Sequence, residues 1–447
     1  MRFLSTVFSD DRIYVAGFYR REISELQAGF IASLDTFGTI QWWTEIHDDS
    51  SAITISDESE MLSIGNKVIQ PFAYFHRPSI GLTIIDSSGN LVSNHEYPMD
   101  PGSVTSPRDI VEVADGYILT GWTSKPPLFV LDAFILKTDF DGNQKWLRYA
   151  GLSVFEETAR SISEVSENEF VISGTRYQWQ HEPEFYHGWA YAIDSLGSKK
   201  WEWEANENEI PHRGIMSMQY DSVNHEWVYF TFIERPTIYP GEDYDVMVPI
   251  IVQRDSAMNL ISYQEYGPYA INHYMGVLEP SHDGGWVAAG SYTTTTDDYV
   301  SPIRTQSGRV VKLKNDGTLE WSVIDTAFFH NELGSRSYLS GVTESHSGSV
   351  YAVGWANNFD EEGAYRSFGW LLKITADGCV DTLCTTTSIL DQLQDREQKV
   401  KVYPNPATDY MIAEIGENTP NAKYIELFDP VGQLVTRMDL RAGVNVL

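Results

Sequence analysis

Apolar and polar positions alternate along this chain in short blocks, and the blocks recur. Seven times an apolar strand runs into a turn that usually closes on Gly, and a second, often aromatic, strand follows. The clearest copies are AFILKTDFDGNQKW (133–146), AYAIDSLGSKKW (190–201), FIASLDTFGTIQW (30–42) and VVKLKNDGTLEW (310–321). The closing position is Gly38, Gly89, Gly142, Gly197, Met258, Gly317 and Gly378. Asp stands three residues earlier in five copies, as Asp35, Asp86, Asp139, Asp194 and Asp255. Asp at the head of a β-turn caps the turn's own backbone, and Gly at its end supplies the positive φ that returns the chain. Trp follows the Gly by four residues in four copies, as Trp42, Trp146, Trp201 and Trp321; Ser93, Ser262 and Thr382 hold that place in the others.

Another strand precedes most of these hairpins and often carries its own Gly: RIYVAGF (12–18), GYILTGW (116–122), EFVISGT (169–175), GWVAAGS (285–291) and VYAVGW (350–355). A shorter segment such as ARSISEV (159–165) or YLSGVTE (338–344) comes first. The unit is therefore four short antiparallel strands, a to d, and its return at roughly 50–60 residues predicts radially stacked blades. Strands b and c are apolar nearly throughout, as in a sheet covered on both faces. The expected fold is all-β, a seven-bladed β-propeller over residues 1–384. MRFLSTV would be the innermost strand of the first blade and GCVDTLC the outermost of the last. No late segment offers a donated strand, so the ring is expected to close by packing alone. A β-solenoid fits less well, because its repeats are shorter.

After Cys384 the pattern changes. TTTSILDQLQDREQ is polar, and 385–399 reads as a linker. Residues 400–447 return to strands (KVYPNP, YMIAEI, KYIELFD, QLVTRMDL) with a turn at Asp429–Gly432, which predicts a small, incomplete β-sandwich.

Composition narrows the partners. Lys and Arg number 31 against 63 Asp and Glu, a formal charge of −32. Nucleic acids and anionic membranes need a basic face, so both are disfavoured. No run approaches the roughly 18 apolar residues of a membrane span, and MRFLSTVFSDD does not read as a signal peptide. Cys379 and Cys384 are the only cysteines; close together in one loop, they are expected to form a disulfide that pins the last blade.

The blades at 116–146 and 284–321 resemble those of secreted Bacteroidetes propellers. The tail carries a more specific likeness. Tyr403, Pro404, Asn405, Pro406, Ala407, Thr408 and Asp409, followed by Leu427, Phe428, Asp429, Gly432 and Gln433, resemble the type A sorting domain of the type IX secretion system. That resemblance implies export across the outer membrane, then attachment to the cell surface or release, with the secretion machinery as a partner. The family's SGxYxxxx ending is missing, so the domain is truncated as it stands. That gap and the lack of a signal peptide are both explained if the reading frame is incomplete.

Catalytic signatures are lacking: there is no GxSxG, HExxH, GxGxxG or P-loop. DFDGN (139–143) copies the start of a calcium loop, but Gln144 and Ala150 stand where Gly and the bidentate Glu belong, so a plain turn is expected. No cofactor is firmly implied, and the acidity leaves calcium open. The b–c connections grow in blades four to seven, and long loops on a rigid scaffold are where binding usually resides. They combine Trp179, Tyr186, Tyr239, Tyr244 and Tyr299 with Asp243, Asp245, Asp297, Asp298, Asp360 and Glu361. Aromatic faces beside carboxylates suit sugar rings or cationic groups. The expectation is a non-enzymatic binding or adhesion scaffold for glycan or protein. The alternative is a propeller-based polysaccharide hydrolase or lyase using loop carboxylates.

Overall fold

The computed structural model describes all residues other than 20–26, 49, 58, 76, 100–103, 126–129, 151–154, 179–184, 207–208, 211–213, 237–244, 267–272, 296–303, 326–335, 360–364, 381–399, 404–411, 416–423, 429–433, 440–442 and 447. It is all-β. The first sheet holds β1 (Arg2–Ser9), β2 (Arg12–Tyr19), β3 (Ala28–Leu34) and β4 (Ile40–Ile46). In the second, β5 (Ile53–Thr54) and β6 (Leu62–Ile64) both pair with β7 (Lys67–Tyr74), followed by β8 (Ser79–Asp86) and β9 (Leu91–Pro98). The third comprises β10 (Thr105–Val113), β11 (Gly116–Lys125), β12 (Val130–Thr138) and β13 (Gln144–Ala150). The fourth comprises β14 (Glu156–Ser166), β15 (Glu169–Gln178), β16 (Phe185–Ile193) and β17 (Lys199–Glu204). The fifth comprises β18 (Ser217–Asp221), β19 (Glu226–Pro236), β20 (Asp245–Asp255) and β21 (Leu260–Glu265). Then come β22 (His273–Pro280), β23 (Trp286–Thr295), β24 (Arg304–Leu313) and β25 (Leu319–Ile324). The last set is β26 (Arg336–Glu344), β27 (Val350–Phe359) and β28 (Tyr365–Ile374), joined to β24 by one parallel pairing and extended outward by an Ile374–Val380 bridge. Beyond the linker, β29 (Val400–Tyr403), β30 (Ile412–Ile415) and β33 (Gly443–Val446) form one sheet, and β31 (Tyr424–Phe428) pairs with β32 (Leu434–Asp439).

The core lies between sheets rather than within one. Each buried apolar cluster is shared by two consecutive sheets: Tyr14 with Phe72, Leu82 with Leu119, Ile135 with Phe170, Val171 with Trp227, Phe230 with Leu278, and Val287 with Leu339. A final cluster joins Val15 and Phe30 of the first sheet to Tyr351 and Val353 of the last. The inner strands touch in the same closed order, β1, β6, β10, β14, β18, β22, β26 and back to β1. Closure therefore rests on more than packing. Phe8 N donates to Thr343 Oγ1 at 3.0 Å, Ser340 Oγ to the Phe3 carbonyl at 3.2 Å, and Arg2 Nε to Ser367 Oγ at 3.1 Å.

Two glycine positions repeat for different physical reasons. The inner strands carry a β-bulge, between Phe3 and Ser5, Pro107 and Asp109, Ala159 and Ser161, Met275 and Val277, and Leu339 and Gly341. Opposite each bulge stands Gly17, Gly121, Gly174, Gly290 or Gly354, where a Cβ would overlap the inner strand's carbonyl. The turn glycines instead have positive φ, from +77° at Gly317 to +93° at Gly142. In each Asp-led turn the Asp Oδ1 accepts two backbone N–H groups, as Asp139 does from Asp141 and Asn143, so DFDGN is a self-capped turn.

Candidate functional site

The d–a and b–c connections share one end of the ring, and there the middle strands reach different heights. In the first two sheets pairing stops at Tyr19–Ala28 and Ala73–Ile80. From the third sheet on it runs to Lys125–Val130, Gln178–Phe185, Pro236–Asp245, Thr295–Arg304 and Phe359–Tyr365. Measured from the Gly17, Gly174, Gly290 and Gly354 level, the later hairpins rise as a wall over one arc and leave the first two sheets low.

Aromatic groups band the base of this wall. Phe232 and Tyr274 stack at 5.4 Å, Tyr274 meets Tyr338 at 5.7 Å, and Tyr338 stacks on Trp355 at 5.9 Å. Arg2 lies 4.5 Å over Trp355 and 5.8 Å from Phe18, which carries the band across the seam. On the fourth sheet Tyr186 stacks on Tyr177 at 4.5 Å. Tyr186, read from the sequence as a loop residue, lies on β16 and pairs with Tyr177.

The other loop residues named from sequence (Trp179, Tyr239, Asp243, Tyr244, Asp297, Asp298, Tyr299, Asp360 and Glu361) lie outside the described residues. Asp245 is described only as the first residue of β20. Of the tail motif, Tyr403 ends β29 and Phe428 ends β31, while Pro404, Asn405, Pro406, Asp409 and Gly432 lie outside the described residues. Cys379 is disulfide-bonded; Cys384 also lies outside them.

A second group of chemistry-bearing residues escaped the sequence reading. Glu60, Asp109 and Glu279 come from the innermost segments of the second, third and sixth sheets, and their charges act on one another. Asp109 is 2% exposed. Its Oδ1 accepts Ile110 N and its Oδ2 accepts Ile162 N, both at 2.6 Å, so it ties β10 to β14. Burial pushes its carboxyl up to about 6, against hydrogen bonds from Glu60 and the two amides. Burial raises Glu279 to about 8, with the Asp109 charge adding to it. Burial, the charges of Asp109 and Glu279, and its hydrogen bond to Asp109 hold Glu60 well above the usual carboxylate range. Glu60 is the proton donor of that pair, because Asp109 already spends both oxygens on amides.

No spacing rule reveals this trio, since its members are some 50 and 170 residues apart in sequence. One cue was available: Asp109 falls where the next repeat has Ser161, and Ser161 Oγ likewise accepts the next sheet's Met218 N at 3.0 Å. Chemically the trio can hold protons near neutral pH. A pair cleaving a sugar bond sits roughly 5–9 Å apart with free oxygens, whereas Glu60 and Asp109 are in direct hydrogen bond. Among the described residues no cluster of three or more His, Cys, Asp or Glu side chains could hold a metal ion, and no helix is long and apolar enough to cross a membrane.

No family model matches this chain, and no curated protein matches it. Among solved structures, the phage phi92 endosialidase is similar at TM-score 0.44 and 9% identity, covering 99% of this chain and 77% of that one. A Penicillium chrysogenum α-L-arabinanase complexed with arabinobiose is similar at 0.42 and 11%, covering 64% and 88%. A Synechocystis apocarotenoid oxygenase is similar at 0.42 and 8%, covering 83% and 88%. Similarity this remote carries no information on chemistry.

Proposed function

We propose that this chain is a seven-bladed β-propeller, exported to the cell surface or released, that binds a glycan or protein ligand without catalysis in the cup at its loop-bearing end. The observation that supports this reading is the wall of lengthened hairpins on one arc of a rigid ring, with Tyr177 and Tyr186 stacked at its foot. Binding surfaces built from loops on a fixed scaffold lose little entropy on ligand capture. The tail supports the destination: YPNPATD and the LFD turn resemble the motifs of a type IX sorting domain, and strands flank both.

A glycan array probed with the purified protein, with and without calcium, tests the binding reading. Selective retention that weakens roughly tenfold in Tyr186→Ala supports it. Silence on glycans, together with no capture of surface proteins, overturns it. Release of reducing ends from a bound polysaccharide would replace it with the hydrolase alternative. Export is tested separately, by fusing residues 385–447 to a periplasmic reporter in a type IX-competent bacterium. Surface exposure lost on replacing Asp409 and Gly432 is expected, and retention of the fusion in the periplasm would sink it.

A further inference from the structure

With 63 Asp and Glu against 31 Lys and Arg, carboxylate partners abound in this chain. Two arginines at the loop-bearing end, where the last sheet meets the first, nevertheless have none among the described residues. Arg336, at the start of β26, is exposed and takes no side-chain partner there. Arg2 is held by neutral groups: its Nε donates to Ser367 Oγ at 3.1 Å, and its guanidinium lies 4.5 Å over the Trp355 ring.

Register brings the two to one face. Arg336 is opposite Asn357, and Asn357 is opposite Ser367, so the three stand in one row across β26, β27 and β28. That row is two strand spacings wide, roughly 10 Å. Trp355, two residues before Asn357, shares the face. A Cβ on Gly369, opposite Trp355, would come within 2.6 Å of Phe3, so the face is the one turned to the first sheet. Polar demand within the row is unmet. Asn357 is 2% exposed and its Oδ1 has no partner; the Trp355 indole N–H is also buried without one. Buried polar atoms rarely stay so unless something else serves them.

Resting on the reading that this end of the ring captures a glycan, we propose that Arg2, Arg336 and Asn357 form a subsite for a sugar unit carrying one carboxylate, such as a uronate. The Ser367 bond and the indole stack fix the plane of the Arg2 guanidinium and leave its two Nη groups to meet a carboxylate as a fork. Arg336 adds a second positive charge at the far end of the row. The Asn357 oxygen accepts from a ring hydroxyl of the same sugar. The formal charge of −32 repels a densely charged polyanion, whereas one carboxylate between two arginines meets little of that repulsion.

Calorimetry on the intact protein tests this with a glucuronate-terminated oligosaccharide and its methyl ester, which differ at the acid group alone. The acid should bind at least about tenfold tighter than the ester, and the gap should narrow at high salt. Arg336→Gln alters an exposed side chain and should close most of the gap. Arg2→Lys keeps the charge but loses the fork, and should close part of it. Unfolding midpoints at the wild-type value establish that both variants keep the fold; if either does not fold, the acid–ester comparison on the wild type decides alone. Equal affinity for acid and ester, a preference that survives both substitutions, or a stronger preference for a sulfated oligosaccharide overturns the carboxylate subsite and leaves glycan capture standing. Binding of neither oligosaccharide also overturns the subsite, and the broader reading falls with it only if neutral glycans are silent as well.

Discussion

Gly174 and Gly284 illustrate two uses of the same residue. Gly174 lies where a Cβ would overlap the Thr158 carbonyl across the bulge, and no side chain can move to relieve it. Gly284 has φ +85° with open space around it, so a side chain there meets only backbone strain. Gly174→Ala is therefore expected to destabilise by more than about 4 kcal/mol, and Gly284→Ala by about 1–2 kcal/mol. Denaturant titration of both variants checks the contrast, and equal losses would refute the bulge argument. Met258 marks the balance between the two: at φ +66° it bears the same strain, but its side chain is 5% exposed and packs into the fourth-to-fifth sheet core. Burying a methionine contributes roughly 1.5–3 kcal/mol, enough to offset the left-handed conformation.

At the scale of the element, the ion cluster on Arg176 fastens β14 and β17 to β15. Arg176 reaches Glu157 at 3.1 Å, Glu204 at 2.9 Å and Glu202, while Glu157 itself is fully buried. Arg176→Met strands the Glu157 charge and is expected to cost about 3–5 kcal/mol, most of it recovered when Glu157→Met is added. A double-mutant cycle by thermal unfolding measures this, and additive losses would show that the residues act independently. Strands and turns were legible in the sequence because their signals are local: Asp-led turns, Gly ends and apolar middles all fall within one repeat. The Glu60, Asp109 and Glu279 trio was not, because its members come from three separate repeats. The bulge was half legible. Its Gly was visible in VAGF, LTGW and ISGT, but the inner-strand residue that forces it was not.

For the molecule as a whole, a second set of carboxyls sets the acid limit. Hydrogen bonds from Ser50 and Arg77 hold Asp48 at about 2, against its partial burial. Burial works against ionisation of Glu202 and Asp283 as well. Lys199, Arg176 and Trp189 in the first case, and Lys312, Ser281 and the Gly285 amide in the second, still hold them at about 2. Their contribution is present above about pH 4.5 and is lost as pH falls towards 2. Acid titration followed by tryptophan fluorescence should show unfolding between these limits; a transition centred above pH 5 would contradict it.

The outer turns add one more consequence. A Cβ on Gly89 would come within 2.8 Å of Trp42, one on Gly197 within 3.1 Å of Trp146, and one on Gly378 within 2.7 Å of Trp321, with Trp42 and Trp321 also donating to turn carbonyls. In each pair the indole belongs to one sheet and the glycine to its successor. Where Trp is missing, His95 and Tyr97 serve the turn at Gly142, and Tyr266 the one at Gly317. The packing unit of this sequence therefore straddles two neighbouring sheets. A graft of one complete sheet would cut two such partnerships, whereas a graft starting mid-sheet, between strands c and d, would carry each indole together with its glycine.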